Sequence, residues 1–149
     1  VIYLFVIPFN FLEPFNNRDV LIVYNLMLFA IMGLLLGATP ISGDDLSPRL
    51  QRWLRAGIIA VAVLAVLVSV YALSATGYRT IAGGLTINRL TIIGWNIINI
   101  GILLWLIYKQ FKDGQKRWIV SLHSVFSQAT NAYLVWGLFL VIILPLLFR

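Results

Sequence analysis

"GIIAVAVLAVLVSVYALSAT", residues 57–76, runs twenty residues without a charge. At about 1.5 Å of rise per residue, a helix of that length is about 30 Å long, the thickness of the hydrocarbon core of a bilayer. A surface helix of a soluble domain would carry a polar face along such a run. Three other stretches repeat the pattern: "VLIVYNLMLFAIMGLLLGA" at 20–38, "LTIIGWNIINIGILLWLIY" at 90–108 and "NAYLVWGLFLVIILPLLF" at 131–148. The expected fold is all-α, an integral membrane helical bundle with four transmembrane helices, forming a single domain over residues 1–149.

Composition agrees. The chain is 61% hydrophobic and 11% charged, with a mean hydropathy of +0.96. Soluble domains are closer to about half apolar and about a quarter charged. The net charge of +6 does not point to nucleic acid, because the basic residues cluster at the ends of the apolar runs, where membrane topology places them. Cysteine is absent, which excludes disulfides, thiolate metal sites and thiol nucleophiles. The first residues, "VIYLFVIPFNFLEPF" at 1–15, are apolar, are interrupted by Pro8 and Pro14, and lack the basic region of a signal peptide. They read as the tail of a preceding membrane segment, with a processed N-terminus as the alternative.

The connections carry helix signals. Pro40 and Gly43 break the first span, and Ser47 followed by Pro48 is an N-cap with proline at the first helical position. The second helix is therefore expected to begin before the membrane does. Leu50, Trp53 and Leu54 share one face there, and Arg49, Arg52 and Arg55 form an interfacial basic collar. In "KQFKDGQKRWIVSLHSVFSQAT", Trp118, Ile119, Leu122, Val125, Phe126 and Ala129 recur at helical spacing. They predict an amphipathic interfacial helix over 115–129, lying near the surface or leading into the fourth span.

Seven of the eleven Lys and Arg residues fall on one side of the membrane: Arg49, Arg52 and Arg55, then Lys109, Lys112, Lys116 and Arg117. Arg18, Arg79, Arg89 and Arg149 fall on the other. The positive-inside rule puts loops 39–56 and 109–130 in the cytoplasm of a multi-pass cell-membrane protein. The "GYRTIAGGLTINR" loop at 77–89 then faces outward.

The third span is the informative one. At about 100° per residue, Gly94 and Gly101 share one side with Trp105, while Asn96 and Asn99 fall opposite, joined by Asn88 if the helix includes it. A helix with one side against lipid needs neither a close-approach face nor an amide face there. Having both marks this helix as the centre of the bundle. Unpaired amides are costly in hydrocarbon, so Asn96 and Asn99 either bond neighbouring helices or line a polar path with Asn88, with Arg89 at its mouth. Gly33 and Gly37 make a GxxxG, a motif of close helix contact. Tyr24 and Asn25 are expected at the interface, the Ala-, Val- and Leu-rich second span is expected to face lipid, and Pro145 is expected to kink the fourth span.

"GGLTINR" at 83–89 has the logic of a cap. Gly83 and Gly84 allow a turn, Thr86 caps the next helix, and Arg89 reaches headgroups or carbonyls. With the following "GWN", it resembles the Gly-Leu-Thr-x-Asn-Arg signature of uncharacterised bacterial polytopic membrane proteins, in which a Tyr precedes the first Gly where this chain has Gly83. The resemblance covers about residues 84–96. It implies a bacterial multi-span protein, and it carries over no chemistry.

Catalytic chemistry is missing. All five acidic residues, Glu13, Asp19, Asp44, Asp45 and Asp113, lie outside the four spans. Proton pumps and ion-coupled carriers use ionisable groups inside the membrane. His123 is the one imidazole, a candidate ligand for haem iron or chlorophyll magnesium, but no second ligand accompanies it and no cofactor or metal is required by the sequence. No nucleophile–base set or phosphate loop can be assembled. The leading expectation is a non-catalytic accessory or scaffold subunit of a larger membrane assembly, with the bilayer and other membrane protein subunits as partners. The alternative is a channel or carrier module lined by Asn88, Asn96 and Asn99, and a pigment or haem subunit is a third reading.

Overall fold

A computed structural model of the chain describes residues 13–37, 46–114 and 117–147, without the side chains of Pro14, Asn16, Arg18 and Leu147. The elements in order are α1 (Glu13–Asn16), α2 (Arg18–Gly37), α3 (Pro48–Gly83), α4 (Ile87–Asp113), α5 (Trp118–Leu138), a π-helical turn (Phe139–Ile143) and α6 (Leu144–Leu147). Four helical stretches are long and apolar enough to cross a membrane: Asp19–Gly37, Pro48–Gly83, Ile87–Asp113 and Trp118–Leu146. The fold is an all-α helical bundle compatible with a polytopic membrane protein. Pro40, Gly43 and Lys116, and all but the last residues of the apolar 1–15 segment, lie outside the described residues.

Local chemistry sets the helix starts. Ser47 Oγ accepts from Leu50 N–H at 3.4 Å, and Pro48 occupies the first turn, where its missing N–H costs nothing. Thr86 does the same for α4, accepting from Arg89 N–H at 3.3 Å. Gly84, at φ +77°, supplies the left-handed residue between α3 and α4, a conformation that costs any side chain. Residues 77–83, expected in a loop, continue α3 as helix, so the connection is only 84–86. Polarity misleads there, because a helix emerging from hydrocarbon accepts polar residues. Thr80, for example, returns its hydroxyl to Thr76 O at 2.8 Å.

Packing runs α2 against α3, α3 against α4, and α4 against α5. α3 therefore has a helix on two sides, yet Val61, Val63, Leu64, Leu67 and Val70 stay exposed, so most of its surface is free to face lipid as its composition predicts. Its buried stripe is Ile58, Ala62, Ala65, Ser69, Ala72, Ala75 and Thr76. Small side chains at three- and four-residue spacing let backbones approach, which is how membrane helices gain van der Waals contact when hydrophobicity drives nothing. Sequence polarity hides such a stripe, because Ala, Val and Leu are all apolar.

Near the α3–α4 turn, Phe15 of α1 sets its ring edge-on to Tyr71 and Tyr78 of α3, both at 5.8 Å. Tyr24 is buried at 3% exposure and lies 5.7 Å from Tyr71. It is a core residue, contrary to the interfacial expectation, because α2 turns it towards α3.

The stripe on 118–129 also sits inside. Trp118, Leu122, Val125, Phe126 and Ala129 are buried against the bundle. They belong to one continuous helix running into the fourth span. Of the two placements expected for the amphipathic stretch over 115–129, the described residues take the second: it leads into the fourth span as the first half of α5, one face buried and Val120 and His123 exposed on the other. At the other end of α5, Leu144 N–H donates to Phe139 O, five residues back. The π turn widens the helix one residue before Pro145, whose ring and missing N–H disturb an ordinary helical ladder.

Candidate functional site

Asn96 and Asn99 of α4 are each 1% exposed. Asn96 donates through Nδ2 to Asn25 Oδ1 of α2 at 2.9 Å and to its own helix at Ile92 O, 3.0 Å. Asn25 in turn donates to Leu21 O at 2.9 Å. Asn99 accepts from the hydroxyl of Tyr133, on α5, at 2.8 Å. The amide face of α4 therefore ties it to α2 and to α5. An aromatic stack runs beside these bonds: Phe29 of α2 on Trp95 at 4.9 Å, and Trp95 on Tyr133 at 5.0 Å. Offset ring pairs add about 0.5–1.5 kcal/mol each beyond their burial. Asn96 Oδ1, Asn99 Nδ2 and Ser69 Oγ are buried without hydrogen-bond partners among the described residues. By helical rise, Ser69 and Asn99 both lie roughly 20 Å from the α3–α4 turn.

A cavity of about 710 Å³ opens between α2 and the turn end of α3 and α4. Its polar lining includes Asn25, Thr76, Arg79, Asn88 and Arg89, and its apolar lining includes Ile22, Leu26 and Phe29. Asn88, expected to line a path, and Arg89, expected at its mouth, both line this cavity. Asn96 and Asn99 are not among its lining residues. Asn25 stands between, touching the cavity and holding Asn96. Sequence reasoning does not anticipate Asn25, Thr76 and Arg79 in this role. Arg79 is readable only as a charge in a loop, and its place on a helix face emerges once α3 is known to continue.

The "GGLTINR" residues are bound to one another. Arg89 folds back to donate through Nη1 to Gly84 O. Its guanidinium covers Gly83 so closely that an added Cβ would stand 3.1 Å from Nη1. The stretch is a self-bonded turn that holds Arg89 at the cavity.

The basic collar divides. Arg49 and Arg52 are exposed, as an interfacial collar requires. Arg55 is half-buried and donates to Gln110 O of α4, so it is a helix clasp as well as an interfacial charge. Burial follows from α4 passing over that side of α3. Gln110, fully buried, donates to Trp118 O at 2.9 Å. Ser121 donates to Asp113 Oδ2 at 2.5 Å, closing the short connection between α4 and α5. Lys109 lies over the Trp105 ring at 5.8 Å and Lys112 over Tyr108 at 5.7 Å. Arg117 is exposed at the start of α5.

The glycines also divide. A Cβ on Gly94 would fall within the indole of Trp136, against Cζ2 and Cη2, so this residue is a true close-approach site. Gly101, Gly33 and Gly37 have no neighbour within 4 Å of an added Cβ. Among the described residues, none packs against these three glycines. Gly101 lies with exposed Trp105 on an outward side of α4, so the helix is not enclosed on both faces along its whole length. α5 covers the glycine side only at Trp136. His123 is exposed on α5, away from the buried stripe, and among the described residues no group of His, Cys, Asp or Glu is placed to hold a metal.

Comparison with protein-family models, with curated proteins and with solved structures finds no match for this chain.

Proposed function

We propose that this chain is a non-catalytic integral membrane protein that works by packing, as an accessory or scaffold subunit of a larger membrane assembly. The observation that carries the reading is the use of the amide face: Asn96 and Asn99 are closed into bonds with α2 and α5 rather than lining the cavity. No acidic side chain falls in the middle of a span, where ion coupling would need one. Gly33 and Gly37 leave an open small-residue stretch on the outside of α2, a shape that accepts a second helix. The resemblance of "GGLTINR" supports a bacterial inner membrane as its location. The basic end bearing Arg49, Arg52 and Lys112 then faces the cytoplasm.

The test is extraction from the native membrane in a mild detergent, followed by particle size, mass-spectrometric composition and the visible spectrum. A large particle with reproducible partners is expected. A lone protein or a homo-oligomer would sink the subunit reading, and a colour lost in His123→Ala would establish the pigment or haem reading in its place.

A channel or carrier module is the second reading, and the cavity beside Asn88 and Arg89 is what favours it. Asn96→Leu separates the two. Assembly kept and flux lost supports transport, whereas assembly lost supports packing.

A further inference from the structure

We propose that the cavity at the α3–α4 turn binds an anionic oxyanion group, a phosphate or its chemical equivalent, carried as the headgroup of an apolar chain. The inference does not depend on the subunit reading. It rests on the state of two arginines. Arg79 lines the cavity, and its Nη1 is buried without a hydrogen-bond partner among the described residues. Arg79 as a whole is half-buried; a buried N–H left without an acceptor is unfavourable, and an anion in the cavity would supply one. Arg89 lines the same cavity. Its Nη1 is engaged by Gly84 O, which fixes the side chain and leaves its remaining donors for a ligand. Two forks of this kind are the usual recognition chemistry for phosphate.

No carboxylate among the described residues is paired with either arginine. Glu13 and Asp19 belong to this end of the bundle and both are exposed. Nearby polar groups are already committed: Thr76 donates to Ala72 O at 2.8 Å, and Asn25 to Leu21 O. The charge is therefore uncompensated among the described residues.

The remaining wall argues for an amphiphile rather than a free ion. Ile22, Leu26 and Phe29 line the cavity and are 48%, 68% and 53% exposed, so the wall continues onto the outer surface of α2. An acyl chain can lie there while its headgroup meets the arginines. Depth agrees: Arg79 is about 6 Å of helical rise from the end of α3, within reach of the headgroup region. The volume of about 710 Å³ falls in the range of about 300–1,000 Å³ of ligand pockets.

The test is native mass spectrometry of the purified intact chain, equilibrated with equal amounts of phosphatidylglycerol and phosphatidylcholine of matched chains. Thermal unfolding with and without inorganic phosphate accompanies it. One phosphatidylglycerol is expected to be retained roughly tenfold over phosphatidylcholine. Arg79→Gln is expected to remove that preference. Asn88→Asp, an exposed change that leaves folding intact, is expected to weaken it by repulsion, and Arg49→Gln at the opposite end to leave it unchanged. Stabilisation by inorganic phosphate without lipid preference, lost in Arg79→Gln and Asn88→Asp, supports the oxyanion site and makes its source a free anion. Equal retention of both lipids with no phosphate effect, or a preference unchanged in both cavity variants, overturns the proposal.

Discussion

The indole of Trp136 occupies the space that a side chain at Gly94 would need, with Cζ2 and Cη2 the atoms an added Cβ would overlap. α4 and α5 can approach at that level only because residue 94 has no side chain. Gly94→Ala must therefore push the ring or the helix away, at a cost of about 1–3 kcal/mol. Gly33→Ala and Gly101→Ala meet open space and should change stability by no more than about 0.5 kcal/mol. Unfolding of the three variants in one detergent system checks the contrast.

Asn25 and Asn96 should behave as a pair. Asn96→Leu leaves the part-buried Asn25 amide oxygen without its donor, and the adjoining cavity lets water replace part of the lost bond. In a double-mutant cycle with Asn25→Leu, the coupling is expected near 0.6 kcal/mol, the rough average for polar pairs between membrane helices. A coupling indistinguishable from zero would mean that the contact contributes nothing to holding α2 on α4.

The basic collar should prove unequal. Arg55→Ala removes a charge-assisted bond to the Gln110 carbonyl and should cost about 1.5–3 kcal/mol. Arg49→Ala and Arg52→Ala remove exposed side chains and should stay within about 0.5 kcal/mol. Equal effects from all three would reduce Arg55 to an ordinary interfacial charge. The same unfolding assay reads the result.

The α3–α4 turn should be sensitive at single residues. Gly84 sits at φ +77° and ψ 162°, a conformation essentially confined to glycine, so Gly84→Ala is expected to cost about 1–3 kcal/mol. Thr86→Ala removes the cap on α4 and should cost about 0.5–2 kcal/mol. Gly83→Ala meets only the guanidinium end of Arg89, which can swing aside, so its effect should be the smallest of the three. Amide exchange at Leu90, whose N–H bonds Thr86 O, offers a local readout.

Much of this architecture can be read from the sequence, because it is local. A charge-free run of twenty residues makes a span wherever it occurs, and Ser47, Pro48 and Thr86 start their helices through atoms no more than three residues away. The inward turn of Asn96 and Asn99 is legible too, since an amide in hydrocarbon must find a partner. What stays hidden depends on neighbours. The stripe through Ala62, Ala65 and Ala72 is distinguished from its surroundings by size, not polarity, so in sequence it looks like a lipid-facing span. Arg55 differs from Arg49 and Arg52 only in having α4 above it. Gly94 differs from Gly101 only in lying under Trp136. The cavity escapes for the same reason: Asn25, Arg79 and Asn88 stand on α2, α3 and α4, and no single stretch encodes how those helices are ordered.

The central claim is that the polar residues inside the bundle are sealed in helix contacts and form no aqueous path. A chain without cysteine allows that to be measured directly. Single cysteines would be placed as Ser69→Cys, Asn99→Cys and Asn88→Cys, and modified in intact membranes opened to both sides with a water-soluble maleimide. Rapid labelling is expected at position 88, at the open mouth of the cavity, with protection at 69 and 99 until the bundle is unfolded. Labelling at 69 and 99 as fast as at 88 would contradict the claim and make the asparagine face a water-filled route.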